Sequence, residues 1–329
     1  MKIFDMHCDT IAEMRQSEKQ GKRMSLRKND LCVDLERMRR GGYSLQTFAM
    51  FVDLAEEPDA CRGAKEILEI FKREMAENED LISLITSCKE LEENERAGKM
   101  SALLSLEEGA IYQESLECLR WFWEQGVRMA TLTWNHENDL AYPNRAGNPL
   151  EEEIWSTGEE RGLKKKGLEM LEEMEGLHII VDVSHLSDGG FRDVAGFAKR
   201  PFIASHSNAR GLAKAAARNL TDDMIVTLAE KGGIMGLNYC VSFMRPAWKP
   251  GQEGASMDEI VEMARYILRV GGSDCLGLGS DFDGILERPD MGDCSHMQEL
   301  AERMAGKLGY EQTDKIFSGN VRRFLKENL

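Results

Sequence analysis

The chain has 329 residues, of which 42% are hydrophobic and 30% are charged. This composition excludes intrinsic disorder, and no uncharged apolar run approaches the roughly 20 residues that a membrane-spanning helix needs. The formal net charge of −16 repels phosphate backbones and anionic lipids, so we expect neither a nucleic-acid partner nor a membrane partner. We also expect no signal peptide, because Asp5, His7 and Asp9 interrupt the start of the chain.

The eight cysteines are scattered along the chain and form no Cys-x-x-Cys pair. In a chain of this size, such cysteines are typical of reduced and mostly buried thiols in an intracellular protein. The sequence therefore predicts a cytoplasmic location.

Short apolar runs alternate along the chain with charged, amphipathic segments. The apolar runs predict eight strands, at residues 2–8, 44–52, 101–106, 129–134, 178–184, 201–205, 233–238 and 275–280. Between them, apolar residues recur three and four positions apart, which predicts helices that include residues 64–75, 116–125, 168–174 and 257–270. Thr221, which precedes two aspartates, predicts a further helix start with a capping hydroxyl.

This alternation of strands and helices predicts an α/β fold, a (β/α)8 TIM barrel formed by one domain over residues 1–329. A doubly wound open sheet is the competing architecture. The glycine-rich phosphate-binding signatures of that class are absent from the sequence, so the barrel is favoured.

Side chains with metal-binding chemistry stand where five of the predicted strands end. They are His7, the pair Glu107 and Glu108, His185, His206, and Asp281. In a (β/α)8 barrel the carboxyl ends of all strands lie on the face where active sites form. We therefore expect these side chains to converge although they are far apart in the sequence.

Converging imidazoles and carboxylates are the ligands that Zn²⁺ and similar divalent ions prefer. His7 and Asp9 are two residues apart, so on an extended segment both side chains point the same way and can bind one metal. With His185, His206 and a carboxylate from the third predicted strand, the candidate ligands exceed the three that a single catalytic zinc uses. The count indicates two metals that share a bridging carboxylate.

The bridging carboxylate belongs to Glu107 or to Glu108. Strand alternation favours Glu107, which has the parity of Leu103 and Ser105, although a bulge would reverse this choice. Asp281 is then free to act as a general base or acid.

Six short motifs occur in a characteristic order and spacing. They are His7-x-Asp9, Leu106-Glu107, Asp182-Val183-Ser184-His185, Ala204-Ser205-His206-Ser207, Arg218-Asn219 and Gly279-Ser280-Asp281-Phe282-Asp283-Gly284. Over essentially the whole chain, this series resembles the membrane dipeptidase (renal dipeptidase) family of zinc peptidases. The resemblance implies a barrel of the metal-dependent hydrolase type, two bound Zn²⁺ ions and the hydrolysis of dipeptides.

The resemblance also implies a role for each matching metal ligand. His7 and Asp9 would bind one zinc, His185 and His206 would bind the other, and the bridge would be Glu107.

Two further roles follow from the same resemblance. Asp281 would assist proton transfer, and Arg218 would bind the C-terminal carboxylate of the dipeptide, a role that suits the two-pronged guanidinium. The sequence departs from the family at one position, because Trp134 stands where the family commonly has a substrate-contacting histidine after Leu-Thr. Either His136 contacts the substrate instead, or this contact is lost.

The sequence therefore predicts a dinuclear zinc-dependent dipeptidase acting on free dipeptides, with acceptance of a D-residue at the C-terminal position left open. Mn²⁺ or Fe²⁺ could occupy the same ligands. The family suggests a homodimer. The alternatives are an amidohydrolase-type metal hydrolase of a cyclic amide, lactone or phosphoester, and a non-catalytic barrel that binds a small molecule.

Overall fold

The computed structural model describes residues 1–113, 115–144, 158–214, 216–245 and 248–329. In these residues nine strands form one sheet with parallel pairings. The strands are β1 (Ile3–Cys8), β2 (Tyr43–Phe51), β3 (Ile82–Leu84), β4 (Met100–Glu107), β5 (Val127–Thr131), β6 (Ile180–Asp182), β7 (Ile203–Ser207), β8 (Ile234–Leu237) and β9 (Leu276–Leu278).

The sheet closes on itself because β2 pairs with β4 as well as with β1. The ring therefore contains eight strands, and the predicted (β/α)8 barrel is confirmed. The strand β3 was not predicted, and it pairs with the first residues of β4 without entering the ring. A strand of three residues is too short to show an alternating pattern, which is why the sequence did not reveal it.

Helices surround the barrel. In the described residues they are α1 (Thr10–Lys19), α2 (Leu35–Gly41), α3 (Ala60–Glu77), α4 (Cys88–Arg96), α5 (Leu116–Glu124), α6 (Lys165–Gly176), α7 (Asp188–Phe197), α8 (Asp222–Glu230), α9 (Met257–Gly271), α10 (Met297–Leu308), α11 (Tyr310–Asp314) and α12 (Asn320–Asn328). The four predicted helical segments correspond to α3, α5, α6 and α9. The predicted cap is confirmed, because the Thr221 side chain accepts a hydrogen bond from the backbone N–H of Met224.

Two apolar cores hold the fold together. The larger one fills the layer between the strands and the helices. The smaller one contains inward-facing strand residues such as Phe4 and Leu103, together with Val321, Phe324 and Leu325 from α12. The C-terminal helix thus contributes to the core of the barrel. Among the described residues, no helix has both the length and the apolarity to cross a membrane.

Candidate metal centre

The candidate metal centre lies at the carboxyl ends of the barrel strands. Its side chains come from β1, β4 and β7 and from the loops that follow β1, β6 and β9. They are His7, Asp9, Glu107, His185, His206 and Asp281, each at most 9% exposed. Burial of so many ionisable groups in one place is costly unless they are paired or bind a metal.

Glu107 stands between the three histidines. Its Oε1 is 3.1 Å from His185 Nε2 and 3.4 Å from His206 Nε2, while its Oε2 is 3.1 Å from His7 Nε2. Each carboxylate oxygen therefore faces a different part of the cluster. Glu107 continues the inward parity of Leu103, as strand alternation predicted.

Glu108 faces away from this cluster. Its carboxylate accepts hydrogen bonds from the backbone N–H groups of Ala110 and Trp134 and from the side chain of Asn138. These bonds fix the loops that follow β4 and β5, so Glu108 has a structural role here.

The remaining carboxylates approach His7. The Nε2 atom of His7 is 3.3 Å from Asp9 Oδ2 and 3.8 Å from Asp281 Oδ1. Two groups of potential ligand atoms result, one formed by His7, Glu107 and His206, and the other by His7, Asp9 and Asp281.

The hydrogen bonds of two histidines point their free lone pairs at the same place. Ser205 donates its hydroxyl proton to Asp182, so its oxygen accepts a hydrogen bond from His206 Nδ1 at 2.8 Å. Asn135 Oδ1 accepts from His185 Nδ1 at 2.9 Å. Both Nε2 atoms are thus left with lone pairs, and this tautomer is the one that metal ligation requires.

Within the part of the chain that the structure describes, three buried atoms of the cluster have no hydrogen-bond partner: His7 Nε2, Asp9 Oδ1 and Glu107 Oε2. Unpaired buried polar atoms cost free energy. These three are nitrogen and oxygen atoms of the kind that ligate zinc. The residues present therefore fit a divalent metal.

The proximity of opposite charges sets the pKa values of His7 and Glu107. Burial by itself lowers the pKa of His7, but the carboxylates of Glu107 and Asp9 outweigh it and raise that pKa well above its usual value. Burial raises the pKa of Glu107, yet the charge of His7 and the proximity of the His185 and His206 rings bring it well below its usual value.

Burial and neighbouring negative charges raise the pKa of the other two carboxylates. Burial and the charge of Glu107 raise the pKa of Asp9 to about 6. Burial, with the charges of Asp9 and Glu107, raises the pKa of Asp281 to about 8 against the opposing effect of His7.

The two remaining imidazoles favour the neutral form. Burial and the charge of Arg218 lower the pKa of His185 to about 3. Burial and the charge of His7 lower the pKa of His206 well below its usual value. Neutral imidazole is the form that ligates metal.

Arg218 is buried beside the cluster. Its Nη1 donates to Ser207 Oγ at 2.7 Å and its Nη2 donates to the backbone oxygen of His206 at 2.9 Å. Its Nε is buried and has no hydrogen-bond partner in the described residues. Burial lowers the pKa of this guanidinium although nearby Asp281 opposes the effect.

His136 bonds to a different part of the molecule. Its Nε2 lies 2.9 Å from Asp53 Oδ1, in the loop that follows β2. The ring of Trp134 lies near both His136 and His185, with centroid distances of 5.6 and 6.1 Å, and also contacts Phe51 at 4.8 Å. Substrate contact by His136 stays a prediction.

Strained backbone accompanies two of the site residues. His185 has φ 69° and Asp281 has φ 61°, which is the left-handed region that residues other than glycine seldom adopt. Such strain costs roughly 1–3 kcal/mol per residue and is tolerated where the surrounding structure holds a functional group in place.

Three residues that support the cluster were not among the predicted site residues. Asn135 orients His185, Ser205 orients His206, and Asn238 donates to Asp281 Oδ2 at 2.9 Å. Asn238 could have been noticed, because it is a polar residue that directly follows β8.

A (β/α)8 barrel that gathers imidazoles and carboxylates at the carboxyl ends of its strands belongs to the class of metal-dependent hydrolases. Comparison with known families identifies the chain more closely. The profile of the membrane dipeptidase family (Peptidase family M19) matches residues 1–328, and the chain belongs to this family. The protein is therefore a metal-dependent dipeptidase, as the sequence motifs predicted.

Individual relatives agree with this assignment. The chain is 30% identical over 309 residues to an uncharacterized dipeptidase of Schizosaccharomyces pombe, covering 90% of this chain and 72% of the relative. It is 28% identical over 325 residues to dipeptidase ataJ of Aspergillus terreus, covering 91% of this chain and 78% of that protein.

The fold has a solved counterpart in a metallopeptidase from Rhodobacter sphaeroides. The two structures superpose with a TM-score of 0.86 at 23% sequence identity, over 100% of this chain and 99% of the other. That protein was solved with a phosphinate mimic of the dipeptide L-Ala-D-Ala.

Proposed function

We propose that the protein is a dinuclear zinc dipeptidase that cleaves free dipeptides and accepts a D-residue at their C-terminal position. Mn²⁺ and Fe²⁺ are the other ions that suit the same ligands. The observation that carries the proposal is the position of Glu107, whose Oε1 faces His185 and His206 while its Oε2 faces His7. A cytoplasmic location and a homodimer stay predictions.

The ligand arrangement supports two ions. Glu107 Oε1, His185 and His206 would hold one ion, and Glu107 Oε2, His7 and Asp9 would hold the other. Each set contains the three protein ligands that are typical of a catalytic zinc. A shared carboxylate is the usual feature of paired metals, which lie about 3.5–4 Å apart.

Two bound divalent ions would supply a nucleophile at neutral pH and would polarise the carbonyl of the substrate. The protein's own contribution to the proton transfer would come from Asp281. Its carboxylate borders His7 and carries a raised pKa, so it can accept a proton from the attacking water and donate it to the leaving amine.

Arg218 would hold the other end of the dipeptide. Among the described residues, the bonds to Ser207 and His206 leave its Nε and one hydrogen on each Nη atom available, and the fork of a guanidinium matches a carboxylate. Placing the free carboxylate here favours substrates of two residues over longer peptides.

The proposal that a D-residue is accepted is supported by the Rhodobacter sphaeroides metallopeptidase, which was solved with a mimic of the dipeptide L-Ala-D-Ala. The test combines elemental analysis of the purified protein with hydrolysis of Gly-D-Ala and L-Ala-L-Ala, before and after chelator treatment. We expect about two zinc ions per chain and cleavage of both dipeptides that is lost with the metal. One metal per chain in a fully active enzyme would contradict the dinuclear proposal, and no cleavage of Gly-D-Ala would contradict D-residue acceptance.

A further inference from the structure

We propose that Asn238 is a positioning residue that holds the carboxylate of Asp281 in its proton-transferring orientation. The inference rests on the proposed role of Asp281. Asn238 directly follows β8, and its side chain is completely buried.

The orientation of the Asn238 amide follows from its partners. The backbone N–H of Cys240 can only donate, and it lies 2.6 Å from Asn238 Oδ1. The Nδ2 atom therefore faces the opposite way, where it donates to Asp281 Oδ2 at 2.9 Å and to the backbone oxygen of His206 at 3.3 Å. Asn238 thus connects the proposed general base to the strand that carries a proposed metal ligand.

The backbone of Asn238 is held equally firmly. Its N–H donates to Asn208 Oδ1 at 3.1 Å, and its carbonyl accepts from Asn208 Nδ2 at 2.9 Å. This reciprocal pair joins the ends of β7 and β8. The amide of Asn238 is therefore a fixed donor, and it does not need to reorganise when a substrate binds.

The bond to Asn238 decides which oxygen of Asp281 is free. Asp281 Oδ2 is engaged by Asn238, whereas Oδ1 is the atom that faces His7 at 3.8 Å. In the described residues, the hydrogen bond from Asn238 Nδ2 is the side-chain contact that fixes the orientation of the Asp281 carboxylate. Without Asn238 the carboxylate could rotate away from the cluster.

The test is a double-mutant cycle between the two residues, with kcat, KM, zinc content and thermal midpoint measured for every variant. We expect Asn238→Ala to lower kcat by about 10- to 100-fold, as is usual for partners of active-site groups, while KM and zinc content stay the same. Asp281→Asn should lower kcat by about 10²–10⁴-fold and retain its zinc. Adding Asn238→Ala to Asp281→Asn should then cost less than about threefold, since the orientation of a lost base no longer matters.

The near-isosteric Asn238→Leu variant removes the donating NH₂ and adds no charge beside Asp281, so it repeats the test if Asn238→Ala does not fold. Asn320→Leu is the matched control, because Asn320 is also buried and donates to backbone oxygens, near the start of β9. An equal loss of kcat from Asn238→Ala in both backgrounds, or no loss in the native one, would overturn the positioning role alone. Full activity in Asp281→Asn would overturn the role of Asp281 and, with it, this inference.

Discussion

The imidazoles of His185 and His206 face each other through their Nε2 atoms, which are 2.9 Å apart. Each Nδ1 atom has a separate hydrogen-bond partner, and burial lowers the pKa of both rings, so two lone pairs meet. Two lone pairs at this distance repel each other unless a cation lies between them. This pair is the clearest geometric sign that the centre binds metal.

The hydrogen-bonded relay from Asp182 through Ser205 to His206 should control metal affinity. Ser205→Ala removes the hydroxyl that joins His206 Nδ1 to Asp182, so the ring loses the bond that fixes its tautomer. We expect zinc to bind about 10- to 100-fold more weakly. Competition with a chromogenic chelator measures this affinity directly. Ser101→Ala is the control, since Ser101 is equally buried but lies at the other end of the barrel. An unchanged affinity in Ser205→Ala would show that the relay has no influence on the metal.

Arg218→Lys should weaken recognition of the substrate's carboxylate. Lysine keeps the positive charge but loses the fork, so we expect KM for L-Ala-L-Ala to rise by about 10- to 100-fold, the value of one or two charge-assisted hydrogen bonds. The corresponding dipeptide amide lacks the carboxylate and provides the comparison. A similar loss on both compounds would instead assign Arg218 to the support of Ser207 and the His206 backbone.

Gly284 leaves room for two carboxylates of the centre. A Cβ at this position would lie 2.1 Å from Asp9 Oδ2 and 2.5 Å from Asp281 Oδ1, and neither atom belongs to a long, flexible side chain. We expect Gly284→Ala to displace these groups, lowering zinc content and reducing activity by at least about tenfold. Gly306→Ala, on the open surface of α10, should leave both unchanged. Normal zinc content and activity in Gly284→Ala would mean that the carboxylates can shift without consequence.

The metal-free protein should become less stable as the pH rises from about 6.5 to 8.5. Asp281, with a pKa raised to about 8, binds its proton more tightly in the folded state than in the unfolded chain. That stabilisation is present at low pH and is lost as the pH rises through the folded pKa. The raised pKa of His7 acts in the same direction. The lowered pKa of His185 affects stability only below pH 6.5, which is the usual pKa of histidine.

The measurement is the thermal midpoint of chelator-treated protein at both pH values. Asparagine at position 281 does not titrate, so the Asp281→Asn variant should lose less stability over this interval than the native protein. Exposed groups are common to both proteins and cancel in the comparison. Equal losses in the two proteins would show that Asp281 does not hold its proton.

The pattern of residues along the chain was enough to predict the architecture and to bring the candidate ligands together. Alternating apolar runs and amphipathic segments encode the order of strands and helices, and barrel topology places every strand end on one face. His7, Glu107 and His206 could therefore be grouped although they are far apart in the chain. Strand parity also separated Glu107 from Glu108, because successive side chains point to opposite sides of a strand.

The groups that support the cluster could be identified only from the fold. Asn135 and His185 are 50 positions apart, Asn238 and Asp281 are 43 apart, and the partner of His136 proved to be Asp53 at a separation of 83. A periodic pattern reports which face of a strand is buried, but it carries no information about the partner across the barrel. The tautomers of the histidines depend on those partners, so they too become visible only once the chain is folded.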